Sequence, residues 1–167
     1  MFLSFVSSIE MDKKLYELIE ACGYGLLEPA QKLISDGVNV NGFQNNFTPL
    51  IASICGQNIE VVELLINSGA NINQENYTAL HEAFDSILAN MVNENVNEPD
   101  WDDLKIIELL INNGGDIEKE DETGKTPLEA LNNYAANEET FEKMKSFFRS
   151  IIPDIDQRIE FNLSDNG

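Results

Sequence analysis

A chain of 167 residues with 43% hydrophobic and 24% charged residues has the composition of one compact domain or a short repeat array, unlike that of a disordered protein. Its 30 acidic residues face only 10 Lys and Arg, a formal net charge of -20. A field of that sign repels phosphate and anionic lipid, so nucleic-acid and membrane partners are disfavoured and encounter with basic surfaces is favoured.

The charge is also unevenly placed. From Leu33 to Leu104 there is no Lys or Arg, while Asp36, Glu60, Glu63, Glu75, Glu82, Asp85, Glu94, Glu98, Asp100, Asp102 and Asp103 all fall in that stretch. The bland alternative is an acidic surface that keeps a small protein soluble.

Residues 1–12 read as an N-terminal extension. The run from Met1 to Ile9 is largely apolar, but no Lys or Arg precedes it and no small-residue cleavage site follows, so it makes a poor signal peptide; Met11 is a second plausible start. No segment reaches the ~18 to 20 apolar residues of a membrane span. Cys22 and Cys55 lie in apolar periodic segments without the dense spacing of disulfide scaffolds. Both are expected to be buried free thiols in a reducing, cytoplasmic location, with a single disulfide left open.

Further along, one tetrapeptide occurs in three versions: Thr48-Pro-Leu-Ile51, Thr78-Ala-Leu-His81 and Thr126-Pro-Leu-Glu129. Each opens a helical stretch. The second helices after the first two, Glu60 to Ala70 and Lys105 to Gly115, are nearly superimposable in sequence, and each closes on a glycine, Gly69 or Gly114. A degenerate earlier copy runs from Tyr16 to Val40, with Ala21 and Cys22 on its first helix, Leu33 and Ile34 on its second, and Gly37 closing it. The fourth copy has a second helix over Thr140 to Ile152, where Phe141, Met144, Phe148, Ile151 and Ile152 keep helical spacing and Pro153 ends it.

Threonine suits the cap position, proline the first helical position and glycine a left-handed helix end, so these residues need no ligand to explain them. Between Phe84 and Trp101 the third copy carries about 15 extra residues, an insertion of the kind that maps to one face of a repeat array. Phe84, Ile87, Leu88 and Met91 continue a helix into it, Asn93 to Asp100 reads as loop, and Asp100 can cap the next helix. After Pro153 the near-alternation of Asp154 to Leu163 predicts a half-buried extended segment along the last helix.

This order of Thr-Pro-Leu-His, short helix, second helix ending Leu-Leu-x-x-Gly-Ala and Asn-x-Asn loop resembles the ankyrin repeat, over roughly residues 13–152. The resemblance implies an all-α ankyrin-repeat solenoid of about four helix-turn-helix repeats. They are expected at 13–45, 46–75, 76–123 with the insertion at 87–101, and 124–152, the outer two acting as caps, with a tail at 153–167.

Chemistry finds little support. His81, the single histidine, stands where the motif places one for hydrogen bonding to neighbouring loops, so no nucleophile has a spare base. The acidic runs 100–103 and 118–122 lack calcium-loop spacing, and phosphate-loop, dinucleotide and zinc patterns are missing. No enzyme activity, cofactor or metal is expected.

What remains is a binding face. By the repeat geometry that the resemblance implies, loops and first helices should line it with Phe43, Gln44, Phe47, Glu75, Tyr77, Glu82, Asp85, Glu118, Glu120 and Lys125, and Trp101 at its edge. Phe43, Phe47 and Tyr77 are either anchors for a partner or shields of the loop junctions, and Trp101 is either at the rim or packed on the second helix. The expected function is capture of a basic protein partner by a monomer, similar to inhibitors that neutralise a basic toxin or nuclease as immunity proteins. The alternative is an ankyrin adaptor, scaffold or host-directed effector.

Overall fold

The computed structural model describes the backbone of residues 2–74, 78–93 and 101–162 and the side chains of 11–74, 78–93 and 104–162. Among these residues the structure is helical, and its only extended pairing is an isolated bridge between Gln44 and Phe47. Two compact units divide the chain, Met1–Ile72 and Asn73–Gly167.

The first unit holds α1 (Phe2–Gly23), α2 (Leu27–Ser35), α3 (Pro49–Cys55) and α4 (Ile59–Asn67). First helix packs on first helix, α1 on α3, and second on second, α2 on α4. Leu18, Cys22, Ala30, Leu50, Ile54, Val62 and Leu65 form its core. Residues 2–12 continue the first helix of the first repeat.

The repeat residues act as their chemistry demands. The Thr48 hydroxyl accepts the Ile51 N–H at 3.1 Å, capping α3 with Pro49 at its first position. At the end of α4, the Gly69 and Ala70 N–H groups donate back to the Ile66 and Leu65 carbonyls. That Schellman closure needs a left-handed residue, and Gly69 has φ +87. A Cβ there would meet nothing within 4 Å, so backbone conformation and not crowding selects glycine. Gly114, at φ +90, closes the corresponding helix of the second unit in the same way.

Only one of the two cysteines fulfils the expectation of burial. Cys22 is buried, which pushes its thiol pKa up to about 12, whereas Cys55 is exposed; neither is in a disulfide. Helix α3 has seven residues and buries Pro49 through Ile54, so Cys55 falls at its open C-terminal rim.

The second unit holds α5 (Ala79–Asn93), α6 (Trp101–Asn112), a 3-10 turn (Pro127–Glu129), α7 (Ala130–Tyr134), α8 (Glu138–Phe148) and α9 (Ile155–Arg158). Helix α5 has 15 residues where α3 has seven, the extension expected of the insertion, and it buries Phe84, Ile87, Leu88 and Met91. The Phe84 ring lies 4.8 Å from that of Phe148. The loop expected to end at Asp100 falls, from residue 94, outside the described residues.

The chain end differs from its sequence reading. Helix α8 stops at Phe148 and not at Ile152, and the tail is extended only from Ile159; before that it makes the helical turn α9. Ile155 and Ile159, four apart, are both buried, a helical spacing that the polar-apolar alternation concealed. A charge clasp holds the turn: Arg149 and Lys145 both bind Asp156, and both also bind Glu142. Burial alone would lower the Lys145 pKa, but hydrogen bonds to the two carboxylates outweigh it and hold the ammonium above its ordinary value.

Candidate functional site

In the first unit the loop before α3 makes a two-residue hairpin turn. Gln44 and Phe47 exchange N–H···O bonds of 3.0 Å, and Asn45 and Asn46 take φ 52 and 68. Two successive positive φ values define the tight mirror-image turn that asparagine tolerates. Phe43, 62% exposed, and Phe47, 38% exposed, flank its tip, while the Gln44 Oε1 is buried and accepts no hydrogen bond. Phe43, Gln44 and Phe47 thus meet on one turn. Both rings are open to solvent.

Two other loops are tied to the next repeat by asparagine. Asn41 donates to the Gly69 carbonyl at 3.1 Å and accepts the Asn71 N–H at 2.7 Å. In the second unit Asn73 donates to the Gly114 carbonyl at 2.7 Å and accepts the Asp116 N–H at 2.9 Å. Sequence reasoning assigned these residues no role beyond the Asn-x-Asn loop pattern.

The second unit positions His81 as a strut. Its Nε2 lies 2.9 Å from the Lys125 carbonyl, which only accepts, so the hydrogen-bond network places the proton on Nε2. Nδ1 then accepts from the Thr78 N–H at 3.2 Å and the Thr78 hydroxyl at 2.9 Å. Glu129 does the same service one repeat later, accepting the Thr126 N–H. In both, the third residue of the helix satisfies the backbone of its capping threonine. Asp121 fixes the loop that presents the Lys125 carbonyl. Burial alone would raise its pKa, but bonds from the Thr123 hydroxyl and the Lys125 and Thr123 N–H groups hold it below the ordinary carboxylate value.

Glu82 and Asp85 are half-exposed on α5. They bring in Tyr134 of α7, a residue the sequence reading missed: burial raises its phenol pKa first, and the Asp85 and Glu82 charges raise it further. Helix α7, which carries this ring, packs on α5, and the neighbouring Asn133 accepts from Lys125 at 3.1 Å.

Glu118 and Glu120 lie beside the tail. They line a cavity of about 460 Å³ together with Ile159 to Asn162. Glu118 is paired there with Arg158, and Asn132 grips the tail backbone, donating to the Glu160 carbonyl at 3.1 Å and accepting the Asn162 N–H at 3.0 Å. Glu75 and Tyr77 lie outside the described residues. Trp101 opens α6, and its side chain is outside them too.

Among the described residues no helix is long and apolar enough to cross a membrane.

Residues 18–97 match the family model described as Ankyrin repeats (3 copies). A 69-residue stretch is 39% identical to the Ankyrin repeat-containing protein YIL001W of Saccharomyces cerevisiae, covering 40% of this chain and 13% of that much longer protein. With helices paired, capped and closed as described, residues 18–97 are similar to ankyrin repeats, and the described residues have the all-α architecture of such repeats. Ankyrin repeats are protein-interaction modules, and the family is a non-enzymatic binding fold.

Proposed function

We propose that the protein captures a protein partner with a basic surface, without catalysis, as a monomer in the cytoplasm, and that capture neutralises the partner as an inhibitor or immunity protein does. The observation that carries this reading is the packing of α7, with the half-buried Tyr134, on α5, whose Glu82 and Asp85 charges act on that ring, in a chain of net charge -20. Carboxylates attract Lys and Arg over long range, and a ring beside them takes the same cations at short range. Phe43 and Phe47 add exposed apolar area of the kind that anchors an interface. Trp101, Glu75 and Tyr77 belong to the same proposal through their places in the sequence, Trp101 closing the insertion and Glu75 and Tyr77 at the junction of the second and third repeats.

The test is to immobilise the chain, identify by mass spectrometry the proteins it retains from cells of its own source, and assay the purified partner's activity with and without it. A basic partner, silenced by binding and released by the double variant Glu82→Lys/Asp85→Lys, is the expected result. Retention of acidic proteins, or binding indifferent to the charge reversal, overturns the reading.

An adaptor role is favoured by a different observation: the first unit has exposed aromatic residues of its own. Two partners bound at once, with neither inhibited, would select it.

A further inference from the structure

Helix α1 buries Leu18, Ile19, Ala21 and Cys22 and leaves Tyr16 and Tyr24, with Glu20 midway between them, on the open side. Tyr16 is 41% exposed and Tyr24, just past the helix end, 75%. Four-residue spacing puts Tyr16 and Glu20 on one helical face, with Tyr24 one turn further along. The Tyr16 hydroxyl donates to Glu20 Oε1 at 2.6 Å, which orients the carboxylate and occupies one of its two oxygens. Lys13 is paired with Glu17, at 3.6 Å, and not with Glu20.

This strip joins the hairpin turn. A Cβ on Gly42 would fall 2.5 Å from Leu15 Cδ1, so the loop backbone is seated on α1 beside Tyr16, and the next residue is the exposed Phe43. Exposed Leu26 and Leu27 extend the apolar area past Tyr24. Large exposed aromatic and aliphatic side chains concentrated in a small unit mark an interaction surface.

We propose that the Tyr16–Glu20–Tyr24 strip binds an arginine side chain of an extended basic segment in the protein partner, with the guanidinium on Glu20 and the two tyrosine rings flanking it. The surface rests on the reading of the chain as a protein-binding module, but it shares no residue with the face of Glu82, Asp85 and Tyr134. Its chemistry selects the occupant. A planar guanidinium pairs with a fixed carboxylate and stacks on aromatic faces, which a compact, strongly hydrated ammonium does less well. Phosphate-bearing ligands meet repulsion from a net charge of -20, and a second copy of the chain meets the same charge.

Two fluorescent peptides, one of Arg-Gly-Ser repeats and the other of Lys-Gly-Ser repeats, provide the test by anisotropy at about 150 mM salt. The arginine peptide is expected to bind about fivefold more tightly, the gain typical of a cation held against an aromatic face. Tyr24→Ala and Glu20→Gln, both at exposed positions and checked for unchanged helicity, are expected to abolish that preference, and Glu82→Gln/Asp85→Asn to preserve it. Tyr16→Phe keeps the ring and removes the bond that orients Glu20, so it should reduce the preference without abolishing it. Equal affinity for the two peptides, or a preference unchanged in Tyr24→Ala and Glu20→Gln, overturns the proposal. A preference lost only in the α5 double variant also overturns it, while leaving capture by the acidic face intact.

Discussion

The side-chain amide of Asn73 donates to the Gly114 carbonyl, joining residues 41 positions apart, where the same bond from Asn41 to Gly69 spans 28. The insertion lies wholly inside the longer interval. Both ends of that interval are pinned by one amide, so extra chain enters the repeat without disturbing the loop that follows. Asn73→Ala should therefore cost about 1 to 2 kcal/mol, two partly exposed hydrogen bonds at their usual net value. Asn73→Asp should cost more, because a carboxylate would face the Gly114 carbonyl with no donor. Urea denaturation checks both, and equal stability of Asn73→Ala and wild type would mean that the bridge is idle.

The pairing of His81 with the Lys125 carbonyl predicts a purely structural residue. His81→Ala removes the link between two loops and leaves the Thr78 N–H and the Lys125 carbonyl without their partner, a loss of about 1 to 3 kcal/mol. Partner binding should persist wherever the variant is folded. Binding lost at unchanged stability would give this residue a different role.

Leu65 and Leu110 occupy equivalent, fully buried positions in the second helices of two repeats. Truncation of either to Ala should cost ~2 to 5 kcal/mol, the range for buried leucines. A change below about 0.5 kcal/mol at both, as for a surface site, would refute the repeat register.

The helix pairs were legible in the sequence because their signals are local. Threonine caps, left-handed glycines and four-residue apolar spacing each act within one turn of helix, and Gly69 and Gly114 prove to serve the backbone alone. Contacts that depend on where distant loops meet were not legible. Asn41 and Asn73 look like ordinary loop residues until the next repeat brings a carbonyl and an N–H to them. Tyr134 sits in a five-residue helix whose sequence says nothing about Glu82 or Asp85. Nor does their spacing show that Glu118 and Glu120 line a cavity together with residues 159–162 of the tail. At the chain end, alternation and helical spacing coincide over so few residues that the period could not decide between them.

The Asp156 clasp predicts an acid-sensitive chain end. Hydrogen bonds from Arg149, then Lys145, lower the Asp156 pKa to about 2 from an ordinary 3.8. A carboxyl depressed in the folded state stabilises it above the unfolded pKa, and that contribution fades as pH falls through the folded one. The tail should therefore loosen between about pH 4 and about pH 2. Carbon-detected NMR titration of Asp156 should show its low midpoint, and Asp156→Asn should loosen residues 155–162 at neutral pH. An ordinary midpoint would show that the clasp does not persist in solution.

Charge and apolar area should separate in the kinetics of capture. Glu82 and Asp85 act at long range, because the field of a chain with net charge -20 orients a basic partner before contact; Glu82→Lys/Asp85→Lys should slow association and flatten its salt dependence. Phe43 and Phe47 act only once water is excluded from the turn, so Phe43→Ala/Phe47→Ala should leave association nearly unchanged. It should instead speed dissociation by an amount worth ~1 to 3 kcal/mol, the scale of an interface anchor. Neither double variant should unfold, since all four side chains are at least partly exposed. Deleting residues 93–98 separates the contribution of the insertion from that of α5 and leaves Trp101 in place. Surface plasmon resonance at two salt concentrations distinguishes the cases. If the charge reversals, the phenylalanine variant and the deletion all bind with wild-type rates, the partner engages none of these surfaces, and recognition must be sought on another part of the chain.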